Sequence, residues 1–147
     1  MYTSEDLIKI VNRSLSEISY PDKPENLYEP IRYVMSLGGK RIRPVMLLLV
    51  YNMYGKDIDE ALKVAMALEI YHNYTLLHDD LMDNADMRRG HATVHKRWNT
   101  NTAILSGDTM LVLAYKYLIS TKTDCVDELA RIFTQTAIEI GEGQQYD

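Results

Sequence analysis

The chain holds one cysteine, Cys125, among 147 residues. A single thiol excludes an internal disulfide framework and a cysteine-based zinc knuckle, and it fits a reducing compartment. Basic charge is in short supply too. Sixteen Lys and Arg stand against 21 Asp and Glu, for a net charge of −5 and a pI near 5.3. Such a surface is a poor match for a phosphate backbone, so nucleic acid is not the expected partner. Long apolar runs are missing. The most apolar stretch, Val45 to Tyr51, falls far short of the roughly 20 residues that a membrane-spanning helix needs. The first residues carry acids, not a basic segment leading into an apolar one, so no secretory signal is expected. The expected chain is soluble and cytoplasmic, with no transmembrane segment. Internal repeats, low-complexity tracts and useful period-two alternation are absent as well.

What is present is helical period in an ordinary globular composition, 46% hydrophobic and 25% charged. Leu7, Ile8, Val11, Leu15 and Ile18 share a face behind a cap at Thr3 or Ser4. Tyr20 to Pro24 breaks that helix. A short helix over 30–37 follows, with Pro30 in its first turn, and Gly38-Gly39 stops it. The next helix opens at Pro44 and closes at Gly55. Its interior, Val45 to Val50, is apolar all round and is expected to be buried on most sides. Asp57 and Glu60 form an acidic variant of the capping box. A long helix then runs from Ile58 to about Asn84. Residues 84–102 form a polar, basic loop with one short helix, and Trp98 packs that loop against the bundle. Two helices, 102–119 and 124 to the end, follow as antiparallel neighbours. The expectation is one all-α domain over residues 1–147.

Chemistry concentrates in His78-Asp79-Asp80-Leu81-Met82-Asp83-Asn84-Ala85-Asp86. At about 100° per residue, Asp79, Asp83 and Asp86 fall within roughly 60° on one helical face, with Asp80 at its edge. Like charges at that spacing destabilise a helix unless solvent or a cation neutralises them. An all-oxygen donor set selects a hard cation over zinc. Leu81 and Met82 break the alternate-ligand pattern of a calcium loop. Two carboxylates one turn apart suit magnesium that also holds substrate phosphates. Cations flank this cluster in the sequence. Gly38-Gly39-Lys40-Arg41-Ile42-Arg43-Pro44 sets three of them beside a glycine pair and before a helix N-terminus, an arrangement favouring an anion. Arg88-Arg89-Gly90-His91 is the second set. Together they point to diphosphate binding bridged by a metal and clamped by arginines.

These stretches resemble the trans-type polyprenyl synthetases, the isoprenoid chain elongators. The resemblance runs the length of the chain. It rests on the 38–44 stretch, His72 in Ala-Leu-Glu-Ile-Tyr-His, Asp-Asp-Leu-Met-Asp at 79–83, Arg88-Arg89-Gly90, Ser106-Gly107-Asp108, and Gly-Gln-Gln-Tyr-Asp at 143–147. It implies an isoprenoid-synthase-type helical bundle and an Mg2+-dependent condensation of isopentenyl diphosphate with an allylic diphosphate. In that reading Asp79 and Asp83, with Asp80 nearby, hold magnesium on the allylic diphosphate, which Arg88 also binds. Lys40, Arg43, His72 and Arg89 receive isopentenyl diphosphate, with Arg41 as a helper. Gln144 and Asp147 match a Gln-x-x-Asp motif on the cavity wall. Tyr74, five residues before Asp79, occupies the position where a bulky side chain blocks the growing product, implying fifteen or twenty carbons.

One part of the family pattern is missing. A second aspartate-rich motif and a diphosphate-contacting Lys belong downstream, and the sequence has neither. The expectation is the N-terminal half of such an enzyme, with little or no elongation by this chain alone. Exposed apolar faces are expected to be covered by homo-oligomerisation, as a dimer through 102–119 and 124–147, or by a C-terminal partner. Two other readings remain open. One is a non-catalytic helical subunit of a heteromeric prenyl synthase. The other is a metal phosphohydrolase of the HD type, on the strength of His78-Asp79.

Overall fold

Thr3 opens the first helix. Its hydroxyl accepts from the Asp6 N–H, and the Asp6 carboxylate accepts from the Thr3 N–H, a reciprocal capping box. The computed structural model describes residues 2–55 and 57–147; Met1 and Lys56 lie outside the described residues. From that cap the chain runs through α1 (Ser4–Ser16), α2 (Glu25–Ser36), α3 (Ile42–Met53) and α4 (Asp59–Met82). A hairpin of β1 (Met87–Arg88) and β2 (His91–Ala92) leads into α5 (Val94–Arg97), α6 (Thr100–Ile119) and α7 (Val126–Tyr146). The fold is all-α apart from that hairpin. None of the described helices is long and apolar enough to cross a membrane.

The long helix α4 is central. It packs most extensively on α6, then on α3, with α1 and α2 beside it. Its small residues Ala61, Ala65 and Ala67 are buried and let neighbouring helices approach. Leu7, Val11 and Leu15 of α1, Ile31 and Met35 of α2, Val45 and Leu48 of α3, and Met110 and Leu118 of α6 fill the core around it. Each large aliphatic side chain so buried contributes about 1.5–3 kcal/mol over an exposed one. Trp98 packs edge-on to Tyr33, with ring centroids 5.3 Å apart, and so ties the polar loop to α2.

Several boundaries differ from the sequence reading. The second helix begins at Glu25, so Pro30 sits inside it and offers no N–H to the Asn26 carbonyl. Helix α3 starts two residues before Pro44, which still falls in the first turn, where no N–H is needed. Its interior is not buried on most sides. Ile42, Met46, Val50 and Met53 form an exposed outer stripe, and only Pro44, Val45 and Leu48 are buried. Asp57 and Glu60 do not form a capping box. The Asp57 carboxylate accepts from the Asp59 N–H, while Glu60 is engaged by the Tyr51 hydroxyl. Helix α7 buries none of its residues, and Ile132, Ile138 and Ile140 are exposed along it.

The most consequential difference is where α4 ends. Asn84 takes a left-handed conformation (φ 51°), which Asn tolerates better than most residues. The Asn84 N–H then bonds the Leu81 carbonyl (3.2 Å) and the Ala85 N–H bonds the Asp80 carbonyl (2.9 Å). That pair is a Schellman termination. The chain leaves the helix axis there, so Asp86 does not share a face with Asp79 and Asp83. Its carboxylate pairs instead with Lys96 at 3.1 Å.

Candidate functional site: two arginine-linked subsites along one helix

A turn of unusual backbone builds the basic subsite. Gly38 (φ 75°) and Gly39 (φ 155°) lead into Arg41 (φ 52°), the N-cap of α3. A left-handed conformation costs a non-glycine residue about 1–2 kcal/mol. Something must hold Arg41 there, and its side chain does so. Its Nη1 donates to Glu69 Oε1 at 2.7 Å and its Nε to Asn12 Oδ1 at 2.9 Å. Both members of the ion pair are almost wholly buried, with side chains 4% and 3% exposed. Asn73 donates to the same Glu69 oxygen at 3.1 Å. Above this network lies a cavity of about 410 Å³. Lys40 and Arg41 reach it from the turn, Arg43 from the first turn of α3, Glu69 and His72 from α4, and Arg89 from the hairpin. Burial, then the nearby Arg43, hold the His72 imidazole below its ordinary pKa of 6.5. Arg43 Nη1 lies 3.3 Å from His72 Nε2, so a neutral ring accepts from the guanidinium.

The hairpin distributes its two arginines. Arg89 (φ 53°) and Gly90 (φ 79°) are the central residues of a two-residue hairpin turn, and positive φ at both is the type I′ geometry that matches strand twist. Tyr33 fixes the hairpin by donating its hydroxyl proton to the Ala92 carbonyl (2.7 Å), and Thr93 by donating to Ala85 (2.7 Å). From the turn, Arg89 donates to the Gly38 carbonyl and crosses Gly39 so closely that a Cβ there would meet its guanidinium at 3.1 Å. Arg88, one residue earlier, points the other way. Its Nε donates to Asp80 Oδ2 at 2.7 Å, and its Nη2 lies 3.8 Å from Asp79 Oδ2. Sequence reading treats 84–102 as a loop with one helix and misses this hairpin. The Arg-Gly dipeptide before His91 was the available signal.

The acidic subsite is the last turn of α4. Carboxylates at a helix C-terminus oppose the macrodipole, so Asp79, Asp80 and Asp83 are placed there at a cost. Asp80 is buried and committed to Arg88. Asp79 is half-exposed and accepts from Gln144 Nε2 on α7 at 3.1 Å. Asp83, the C-cap, is exposed. Among the described residues no group of three or more His, Cys, Asp or Glu is arranged to hold a metal ion. Asp79 and Asp83 alone remain, one helical turn apart, as an all-oxygen pair with lone pairs to spare. That donor set fits a hard cation that fills its shell from water and phosphate.

Other expected residues fall around these subsites. Tyr74 stacks edge-on to His78 (4.9 Å) and tilted against Tyr71 (5.4 Å). Tyr71 meets Phe133 at 5.2 Å, and Phe133 meets Tyr115 at 5.2 Å, so an aromatic row links α4, α6 and α7. His78 Nε2 lies 3.3 Å from the Ile104 carbonyl and stands over Gly107, where a Cβ would collide with its ring. The neighbouring Ser106 hydroxyl donates to the Leu27 carbonyl at 2.9 Å. His78 is thus a packed residue, turned toward α6 and not joined to Asp79 as a ligand pair. Asp147 is exposed as the C-cap of α7, where its N–H bonds the Gly143 carbonyl. Sequence reading missed Glu69, Asn73 and Asn12. A lone acid within the apolar run from Val64 to Tyr71 was the signal for Glu69, since such a charge needs a buried partner.

Comparison with known proteins places the chain in a family. The family model described as polyprenyl synthetase matches residues 24–147. A geranylgeranyl pyrophosphate synthase of Geoglobus acetivorans is 40% identical over 149 residues, covering 97% of this chain and 46% of the relative. The crystal structure of a geranylgeranyl pyrophosphate synthase superposes with a TM-score of 0.95 at 44% identity, covering 100% of this chain and 45% of the other. Heptaprenyl diphosphate synthase from Staphylococcus aureus superposes at 0.86 with 32% identity, covering 99% and 45%. The chain spans about half the length of the relatives it matches. With the helical architecture, the motif order and these matches in agreement, the chain belongs to the polyprenyl synthetase family.

Proposed function

We propose that this chain carries the two diphosphate subsites of a trans-prenyltransferase. The basic cavity takes isopentenyl diphosphate through Lys40, Arg43, His72 and Arg89, with Arg41 behind them. The acidic end of α4 takes an allylic diphosphate through magnesium on Asp79 and Asp83, with Arg88 alongside. The observation that carries this reading is the cavity itself, which gathers those four side chains from three separate segments. Helical geometry adds that His72 and Asp79, seven residues apart, differ by only about 20° in azimuth and roughly 10 Å along the axis. Two diphosphates bound there are close neighbours.

In the condensation, the allylic C–O bond breaks and diphosphate departs, the isopentenyl double bond supplies the new C–C bond, and the departing diphosphate takes up the proton lost from the condensed cation. When bound, magnesium supplies charge neutralisation for the departing diphosphate. The protein's own part is to present donors where negative charge develops. Arg88 does this at the allylic group, and Lys40, Arg43 and Arg89 hold the second diphosphate in register. A neutral His72 keeps an N–H for the anion without adding charge. The row of Tyr71, Tyr74 and Phe133 offers a dry surface to hydrocarbon, and Tyr74 stops the chain at fifteen or twenty carbons.

Residues 1–147 act as one all-α unit, the N-terminal part of the synthase fold, and elongate little or nothing alone. The exposed Leu105, Val112 and Ile119 of α6, with Ile132 and Ile138 of α7, are the faces for a homodimer. A second reading, a non-catalytic helical subunit of a heteromeric synthase, is favoured by α7, which buries no residue against the rest of the chain. Calorimetric titration with inorganic pyrophosphate, with and without magnesium, tests the proposal. Binding that strengthens with the ion supports diphosphate subsites. No heat under either condition removes them and leaves the subunit reading.

A further inference from the structure

We infer that Glu69 is a positioning residue of the basic cavity, fixing the strained turn 38–41 by anchoring Arg41 from below. The inference rests on the diphosphate reading of that cavity. A carboxylate in the wall of an anion site is electrostatically wrong unless it does something else. Glu69 is 2% exposed, and its Oε1 takes both the Arg41 guanidinium (2.7 Å) and the Asn73 amide (3.1 Å). Arg41 stands in left-handed conformation at the N-cap of α3 without a side-chain cap bond. Its Nη1 and Nε bonds to Glu69 and Asn12 therefore tie the N-cap of α3 to α4 and α1. Lys40 and Arg43 flank Arg41, so their reach into the cavity is set by where Arg41 is pinned. Glu69 lies one turn before His72 on α4, which registers the turn against the ring that meets Arg43. The pair also leaves the cavity net positive: Lys40, Arg43 and Arg89 stay available to an anion, while Arg41 is internally neutralised.

The two possible roles of Glu69 predict opposite signs. If it were only a negative charge near the anion, Glu69→Gln would tighten binding of inorganic pyrophosphate. As a positioning residue, the same near-isosteric change releases Arg41 and weakens binding about tenfold, the scale of one charge-assisted hydrogen bond. Asn12→Ala, at an exposed position that leaves the fold intact, removes the Nε partner and weakens binding in the same direction by less. Calorimetry on the 147-residue chain reads the affinity, and thermal melts on the same samples read stability. A purely structural role lowers the melting temperature without changing the affinity of the folded protein. A second readout needs no ligand. Trypsin cleavage after Lys40 and Arg41, relative to cleavage after Arg131 on α7, accelerates in Glu69→Gln when the turn is freed. Tighter or unchanged binding, or an unchanged cleavage ratio, overturns the inference. If the parent chain ignores pyrophosphate but the cleavage ratio still depends on Glu69, the diphosphate reading has failed and the anchoring of the turn stands.

Discussion

The two ends of the functional face of α4 are built on opposite plans. At the Glu69–His72 end, a turn, a hairpin and a helix close on one another beside a buried ion pair, and residues from all three line the cavity. At the Asp79–Asp83 end, three carboxylates crowd a helix C-terminus, the macrodipole works against them, and among the described residues Arg88 and Gln144 offset that. The difference has a physical origin. An anion site can be made of the fold's own cations and backbone turns, so its parts double as structural ties. A site for a hard cation must leave carboxylates under-coordinated until the ion arrives, and on the proposed reading the bare chain carries that cost. Stability and binding should therefore respond differently to substitution at the two ends.

The strongest contrast comes from the buried pair. Arg41→Met strands Glu69 in the interior and is expected to cost about 3–5 kcal/mol in urea unfolding. Asp79→Asn, at the other end, relieves like-charge repulsion and is expected to stay within about 0.5 kcal/mol of the parent. Equal costs for the two would erase the distinction between a built end and an unfinished one. Gly107→Ala attacks the acidic end through packing. A methyl group there collides with His78, and overpacking of this kind costs about 1–3 kcal/mol. Proton spectra should show the His78 ring displaced while His72 keeps its position. Movement of both rings would mean that the two ends are not separable.

The sequence makes much of this legible, for identifiable reasons. Caps, helical period and the motif order need only local chemistry, so Thr3, the core faces of α1 and α4, and both basic sets can be read directly. Geometry that depends on one residue's φ is harder. Extending α4 to Asn84 puts Asp86 on the wrong face, because Asn84 in left-handed conformation ends the helix two residues early. The hairpin is missed because its strands are two residues long, too short for alternation to register. The expectation of a buried α3 fails for a different reason. An all-apolar helix states that burial is favourable, not that a neighbour covers each side, and Met46 and Val50 stay more than half exposed.

Metal dependence separates the two ends more finely. Asp79→Asn removes half of the carboxylate pair but retains an acceptor for Gln144. The expected result is about a tenfold loss of the magnesium-dependent part of pyrophosphate affinity, with the magnesium-independent part unchanged. Lys40→Ala should do the reverse, because Lys40 lines the basic cavity. Calorimetry at fixed ionic strength resolves both. If each variant lowers the same component, one shared site replaces the two.

The smallest effect is a pH slope from the basic end. Burial, followed by Arg43, keeps the His72 imidazole below its ordinary value of 6.5. Above that value the ring is neutral in folded and unfolded chains alike and contributes no slope. Below it the unfolded chain takes up the proton first, so the unfolded state binds more protons and stability falls with pH until the folded ring titrates too. His72 is half-exposed, which keeps the loss small. Thermal melts between about pH 5 and 8 should show this decline in the parent chain and a flatter profile in His72→Gln, which retains an acceptor for Arg43. Saturating pyrophosphate should oppose the decline in the parent only, because an anion in the cavity favours the protonated ring and offsets the cations that depress it. A slope that survives in His72→Gln belongs to another group. One that ignores pyrophosphate places the anion away from His72, and the basic end would then be a structural tie without a ligand.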